Sequence, residues 1–224
     1  MDDRNNVGFA HSDDRDVVFE AFAESLKALA NNRRLELLEI LAQGEHSVED
    51  LAALSGMALT TTSSHLQTLK RTGLVRTRRE RTTIHYRLAG DDVAALFTAA
   101  KRVAIARYPR MRDVVDDYLR DEAASTTIET SAIESRMTVL DVRPREEYEA
   151  GHFAGAVSIP MPELGERFHE LPKDAPVVIY CRGQLCRFAR EAADFLRARG
   201  FDARAVTEGI VEWRASESID LDAA

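Results

Sequence analysis

The chain has 224 residues, enough for one large domain or two small ones, with an ordinary apolar fraction of 45% and a formal net charge of −8. No apolar run approaches the roughly 18 residues that span a bilayer. The polar, acidic opening Met1–Ala10 reads as no signal peptide, so a cytoplasmic protein that engages no membrane is expected.

Residues 1–14 are polar and without period, a predicted disordered tail ahead of a first domain over 15–120. Val18, Phe22, Leu26 and Leu29 then recur at helical spacing. Asn31 and Asn32 break that pattern and can cap a second helix bearing Leu35, Leu38 and Leu41, which Gly44 ends. Ser47 and Asp50 resemble a capping pair that opens a short helix through Leu54. Gly56 makes a turn, and a further helix runs from about Leu59 to Thr72 and stops at Gly73. The period changes there: Leu74–Arg79 and Thr82–Leu88 are β-prone around Glu80-Arg81, which reads as a hairpin. A long helix follows with Val93, Leu96, Phe97, Ala100, Val103 and Ala104 expected on one face. Pro109 should end or kink it before a shorter helical stretch to about Arg120.

Asp121–Thr126 is the predicted linker. Over 127–224, Val139-Leu140, Val157–Ile159, Val177–Tyr180 and Ala205-Val206 read as short buried strands. Phe188, Ala192, Phe195 and Leu196 mark a helix between the last two. This alternation predicts an α/β domain with a central parallel sheet.

Charge must be read locally, whatever the net balance. Residues 70–87 hold Lys70, Arg71, Arg76, Arg78, Arg79, Arg81 and Arg87 against Glu80 alone. The short helix from Ser47, the turn at Gly56 and the helix from Leu59 form a helix-turn-helix. Thr60, Thr61, Ser63, Ser64, His65 and Gln67 would give its second helix short hydrogen-bonding groups able to approach base edges, with Leu66 and Leu69 facing the core. Lys70, Arg71 and the hairpin residues Arg76, Arg78, Arg79 and Arg81 would reach phosphates. The plainer alternative for Thr60–Ser64 is a solvated helix face, though threonine and serine are poor helix formers.

Asn32-Arg33-Arg34-Leu35-Glu36-Leu37-Leu38, Ser64-His65-Leu66-Gln67-Thr68-Leu69, Gly73-Leu74-Val75 and His85-Tyr86-Arg87-Leu88 resemble the ArsR-type winged-helix repressors over about 17–110. The resemblance implies a homodimer built largely by the first and last helices. It also implies a roughly palindromic double-stranded DNA operator and a wing at 76–87. Family members that sense metals use a Cys-x-Cys motif before the turn, where this chain reads His46-Ser47-Val48-Glu49-Asp50-Leu51. Others use Asp and His on the last helix, which here has Asp91 and Asp92 but no histidine. No metal and no cofactor is therefore expected.

Only two cysteines occur, Cys181 and Cys186. The first follows an apolar strand and precedes a helix starting near Arg187, the position where α/β folds place their sites. Loop amides and a helix N-terminus favour an anion and lower a thiol pKa, and Arg182 and Arg187 are expected to add positive charge. Leu140-Asp141-Val142-Arg143, Glu147–His152, Gly155–Pro160, Val178–Arg182, Glu208-Gly209-Ile210 and Trp213 resemble rhodanese, the sulfurtransferase domain, over about 127–215. That resemblance implies that Cys181 is the sulfur-accepting nucleophile, with Asp141, Arg143, His152 and Trp213 as structural supports. Single-domain rhodaneses commonly close a six-residue loop on arginine, with glycine fourth. Here the loop is Cys181-Arg182-Gly183-Gln184-Leu185-Cys186, followed by Arg187. With a cysteine at the closing position, weak thiosulfate turnover is expected, and a resolving thiol is supplied.

A compact loop can bring the two Cα atoms within the roughly 4.4–6.8 Å that a disulfide requires. The leading expectation is a DNA-binding regulator, a repressor, that senses persulfide, other small reactive sulfur species or thiol redox state through Cys181 and Cys186. Three alternatives stay open: a sulfurtransferase that carries a DNA-binding domain, a thiol sensor of arsenite or a soft metal, and a phosphatase or arsenate reductase.

Overall fold

The computed structural model describes residues 12–119, 127–216 and 221–222. Most of the expected tail (1–11) and the expected linker (121–126) lie outside the described residues. Helix α1 spans Ser12–Lys27, so 12–14 belong to a helix and not to the tail. Their polarity suggested a tail, but a serine followed by aspartates is also a helix-start signal.

Asn31 caps α2 (Asn32–Leu41), its side-chain oxygen accepting from the backbone N–H of Arg33 and Arg34. After a two-residue strand β1 (His46–Ser47), Ser47 and Asp50 form a full capping box at the start of α3 (Val48–Ser55). The box satisfies two of the N–H groups that a helix start leaves unpaired. Gly56 ends α3 at φ 64°, a left-handed conformation that a glycine adopts freely. Helix α4 (Leu59–Arg71) follows. Strands β2 (Val75–Glu80) and β3 (Thr83–Leu88) pair antiparallel with Glu80 opposite Thr83. The turn is therefore Arg81-Thr82 and not Glu80-Arg81, because the register runs one pair further than propensity suggested. β1 adds to the other edge of β3.

Helix α5 (Asp91–Arg107) stops at Tyr108, and Pro109 opens α6 (Pro109–Leu119), where its missing N–H costs nothing. The buried face of α5 is Val93, Ala94, Phe97 and Lys101. Leu96 and Val103, expected on that face, are exposed. The helix carries two adjacent apolar stripes, and periodicity alone does not say which one the chain itself covers.

The C-terminal unit is a five-stranded parallel sheet. Its strands are β4 (Thr127–Ile128), β5 (Thr138–Asp141), β7 (Val157–Ser158), β8 (Val177–Tyr180) and β9 (Ala203–Val206), in the order β4-β9-β8-β5-β7. The central strand β8 is buried at all four residues, as a strand covered on both faces must be. Helices α7 (Arg145–Ala150), α8 (Leu164–Arg167), α9 (Phe188–Arg197) and α10 (Ile210–Ser216) complete the layers. A small antiparallel pair joins β6 (His152–Phe153) to β10 (Leu221–Asp222). Among the described residues no helix is long and apolar enough to cross a membrane.

The two units share a core. Val211 of α10, fully buried, belongs to the apolar cluster of the N-terminal unit beside Leu37, Leu41 and Phe97, and Ala215 packs against the same cluster.

Candidate functional site

Helix α4 presents the face expected of a recognition helix. Thr60, Thr61, Ser64, Gln67, Lys70 and Arg71 are exposed, Ser63 and His65 half-buried, and Leu66 and Leu69 fully buried. Thr62 turns inward and donates to the Ala58 carbonyl (3.1 Å), so the run of hydroxyls is not all surface. Gln67 is exposed but tethered, its Nε2 donating to Tyr86 Oη on β3 at 3.2 Å. Thus the helix and the wing are fixed to one another by a side-chain bond as well as by the core.

The wing is less bare of acid than its sequence suggests. Glu45, from the turn before β1, lies 2.8 Å from Arg78 and 3.4 Å from Arg87, and Glu80 lies 2.9 Å from Arg78. Arg78 is therefore held between two carboxylates, which raise its pKa through its hydrogen bonds to Glu45 and Glu80. Arg79 donates to the Arg81 carbonyl, and Arg81 sits at the turn with φ 54°. Arg76, Arg79 and Arg81 are exposed.

The second constellation is the loop that follows β8. Cys181 is buried and bonded to Cys186, with Cα atoms 6.2 Å apart. Gly183 O accepts from Cys186 N (2.9 Å), closing a turn that leaves Gln184 exposed at its tip. The loop leads into α9, whose first residue is Phe188.

The loop's arginines, expected to add positive charge there, both have partners. Arg182 makes a two-pronged bond to buried Glu147 of α7, at 3.0 Å from Nε and 2.5 Å from a terminal nitrogen. Arg187 lies 3.6 Å from Glu191 and over the ring of Tyr118 in α6. Buried Glu147 offsets the Arg182 charge at close range, whereas the Arg187–Glu191 pair is long and exposed, so an anion-favouring field in the loop would rest on backbone dipoles and on Arg187.

Beneath the loop, Asp141 and Arg143 form a fully buried ion pair (2.6 Å). Burial opposes the charge on Arg143, but Asp141 beside it outweighs that and holds its pKa above the ordinary value. Asp141 also accepts from Tyr180 Oη (2.5 Å), and burial with that carboxylate pushes the phenol's pKa up. Trp213 donates to Thr130 Oγ1 (3.0 Å), and His152 stacks on Tyr148. Gly209 packs directly on the loop: a Cβ there would lie 2.6 Å from Gly183 N and closer still to the Cys181 carbonyl.

Residues that the sequence reading missed join this loop to the N-terminal unit. Gln43, fully buried just after α2, donates to the Arg182 carbonyl (3.3 Å) and accepts from Arg143 (3.1 Å). Lys101 of α5 forms a buried ion pair with Glu212 of α10, and Glu212 accepts from Gly209 N (3.0 Å). Arg214 lies 3.6 Å from Asp91. Glu39 faces the same region, and burial raises its pKa against the opposing pull of Lys101. A cavity of about 810 Å³ lies beside these groups, with Thr98 and Arg102 on one wall and Gln184, Thr207 and Glu208 on the other. The one available signal was the presence of Lys101 on an otherwise apolar face. Among the described residues, no group of three or more His, Cys, Asp or Glu is placed to hold a metal ion.

Comparison with known proteins places both units. Residues 31–77 match the model for bacterial regulatory proteins of the arsR family, and residues 123–216 match that for the rhodanese-like domain. HTH-type transcriptional regulator Rv0324 of Mycobacterium tuberculosis is 42% identical over 206 residues, 91% of each chain. The homodimeric winged helix-turn-helix DNA-binding domain of Mb0332 from Mycobacterium bovis is 43% identical; the match covers 49% of this chain and 95% of that one, with a TM-score of 0.40. A rhodanese-related protein from Thermoplasma volcanium is 26% identical over 44% of this chain and 99% of its own, with a TM-score of 0.41. With both domain matches in sequence order and a regulator aligned over nine-tenths of its length, this chain belongs to the arsR family of bacterial regulatory proteins, as a DNA-binding transcriptional regulator that carries a rhodanese-like domain.

Proposed function

We propose that the protein is a homodimeric, cytoplasmic repressor that binds a roughly palindromic operator through α4 and the wing and responds to reactive sulfur through Cys181 and Cys186. The observation that carries the sensing half is the bond between these residues across a loop whose Cα separation of 6.2 Å lies in the disulfide range. The dimer is supported by exposed apolar surface. Val17, Val18, Phe19 and Phe22 of α1 and Leu96, Val103, Val114 and Tyr118 of α5 and α6 are exposed. Apolar surface on this scale calls for a partner, and a second copy would supply the second recognition helix that a palindrome requires.

The chemistry balances with a persulfide or polysulfide as oxidant. The Cys181 thiolate attacks the sulfane sulfur of an alkyl persulfide, and the alkyl thiol leaves. The Cys186 thiol then attacks the Cys181 sulfur, its proton passing to the departing hydrosulfide, and hydrogen sulfide is released. Two protein thiols and one persulfide give one disulfide, one alkyl thiol and one hydrogen sulfide. Mass spectrometry after polysulfide treatment, with operator affinity measured on the same samples, tests the reading. Wild type should form the disulfide, change affinity and recover with dithiothreitol. Cys186→Ser should retain the Cys181 persulfide. A wild-type response in Cys181→Ser sinks the proposal. Thiosulfate-to-cyanide transfer at the rate of a dedicated enzyme would favour the sulfurtransferase reading instead.

A further inference from the structure

The carbonyl of Arg182, next in sequence to Cys181, is held from both sides of the molecule. It accepts from Val211 N (3.1 Å) at the start of α10 and from Gln43 Nε2 (3.3 Å) at the end of α2. The Gln43 amide nitrogen also donates to Glu39 O (2.9 Å) in α2, and its oxygen accepts from Arg143 (3.1 Å). Every polar atom of this buried side chain is thus committed, in part to its own helix and in part to the cysteine loop and its supporting ion pair. The end of α7 packs closely at the same place: a Cβ on Gly44 would lie 2.8 Å from the Ala150 Cβ. Helix α2 in turn packs against α3 and α4.

We infer that Gln43 is a positioning residue for the cysteine loop, supplied by the DNA-binding unit, and that it makes the thiol–disulfide state of the loop and the placement of α4 one coupled equilibrium. This rests on the reading of Cys181 and Cys186 as a redox switch. The Cys181–Cys186 bond fixes the turn on which the Arg182 carbonyl stands. In this buried site a lost Gln43–Arg182 bond leaves one amide N–H of Gln43 without an acceptor and the carbonyl with Val211 N alone. When the bond opens, the carbonyl and the Gln43 amide must move together or part at a cost. Either response is felt in α2, because the same amide is bonded to the Glu39 carbonyl.

Linkage makes this testable in both directions. If oxidation changes operator affinity tenfold per disulfide, operator DNA must shift the disulfide's midpoint potential by about 30 mV. The experiment measures that potential on the full chain in dithiothreitol redox buffers, with and without operator, for wild type, Gln43→Met and Gln43→Glu. Gln43→Met keeps the volume and removes every bond. Gln43→Glu keeps an acceptor for Arg143 and removes the donor to Arg182. In wild type the DNA-induced shift should be present. In both variants it should fall below about 10 mV, a roughly twofold effect, while the disulfide still forms and the reduced protein still binds operator. A full shift in both variants overturns the role of Gln43 and leaves the switch standing. No shift in wild type overturns the switch and this inference with it. Should the variants fail to fold, the wild-type Gln43 side-chain amide resonances decide: they should move between reduced and oxidised protein, and unmoved resonances overturn the inference.

Discussion

Helix α4, the proposed recognition helix, and the cysteine loop hold their polar groups by opposite means. On α4, Thr60, Thr61, Ser64 and Gln67 stand on one short helix whose buried Leu66 and Leu69 lie only residues away. The loop 181–186 is itself short, yet its support comes from Gln43, Glu147, Gly209 and Val211, and through Glu212 from Lys101. A surface that reads a partner needs side chains at helical spacing and a core behind them. A loop held in one shape needs its backbone groups met, and those partners come from wherever the tertiary fold brings them. The first arrangement should therefore tolerate substitution and lose only binding. The second should lose stability and response together.

The sharpest way to break the contrast is beneath the loop. Arg143→Met leaves the Asp141 carboxylate buried and unpaired, and should cost about 3–5 kcal/mol in denaturant unfolding. A cost below about 1 kcal/mol would mean that water reaches Asp141 and the loop is not supported from below. Next come two glycines. Gly209→Ala drives a methyl into the backbone of residues 181–183 and should destabilise by about 2–3 kcal/mol while slowing disulfide formation. Gly56→Ala meets open space and bears only the left-handed backbone cost, about 1 kcal/mol, with no effect on the thiols. Equal effects from the two would erase the distinction between a packed loop and a free turn.

On the proposed DNA face, Ser64→Ala should weaken operator binding by about 1–2 kcal/mol and random DNA hardly at all, with folding unchanged. Arg81→Ala should weaken both DNAs alike and flatten the salt dependence by about one ion. Arg78→Ala should do less, since Glu45 and Glu80 already offset its charge. If Arg78 proves the stronger of the two, the carboxylates leave it when DNA binds.

The smallest effect sits where the two regions meet. Burial lowers the pKa of His46 below its ordinary 6.5, with Arg182 adding to the shift and Glu147 and Asp50 opposing it. The unfolded chain therefore takes up this proton first, so the group's contribution to stability is full above 6.5 and is lost as pH falls through the lowered value. His46→Gln should flatten the pH dependence of unfolding in that window. An unchanged slope would assign the dependence to other groups.

Local signals carried the N-terminal unit far. The Ser47–Asp50 box, the Asn31 cap, the Gly56 turn and the hairpin all lie within a few residues of their own cause. The loop cysteines stood out because they are the chain's only two and follow an apolar strand. Arg182 was misjudged because its partner Glu147 is 35 positions away. The buried face of α5 was misjudged because Lys101 is matched by Glu212, 111 positions on.

By itself the sequence determined what depends on nearest neighbours: caps, turns, the helix-turn-helix, the order of strands and helices, and the position of Cys181 at a strand's end. Only the tertiary structure decided which of two apolar stripes on α5 is buried, that the arginines of the loop are engaged, and that Val211 and Gln43 bind the two units into one. The reason is that spacing along a chain fixes which face a side chain occupies, whereas the partner that a buried charge or carbonyl requires is set by how distant elements pack, and local pattern holds no record of that.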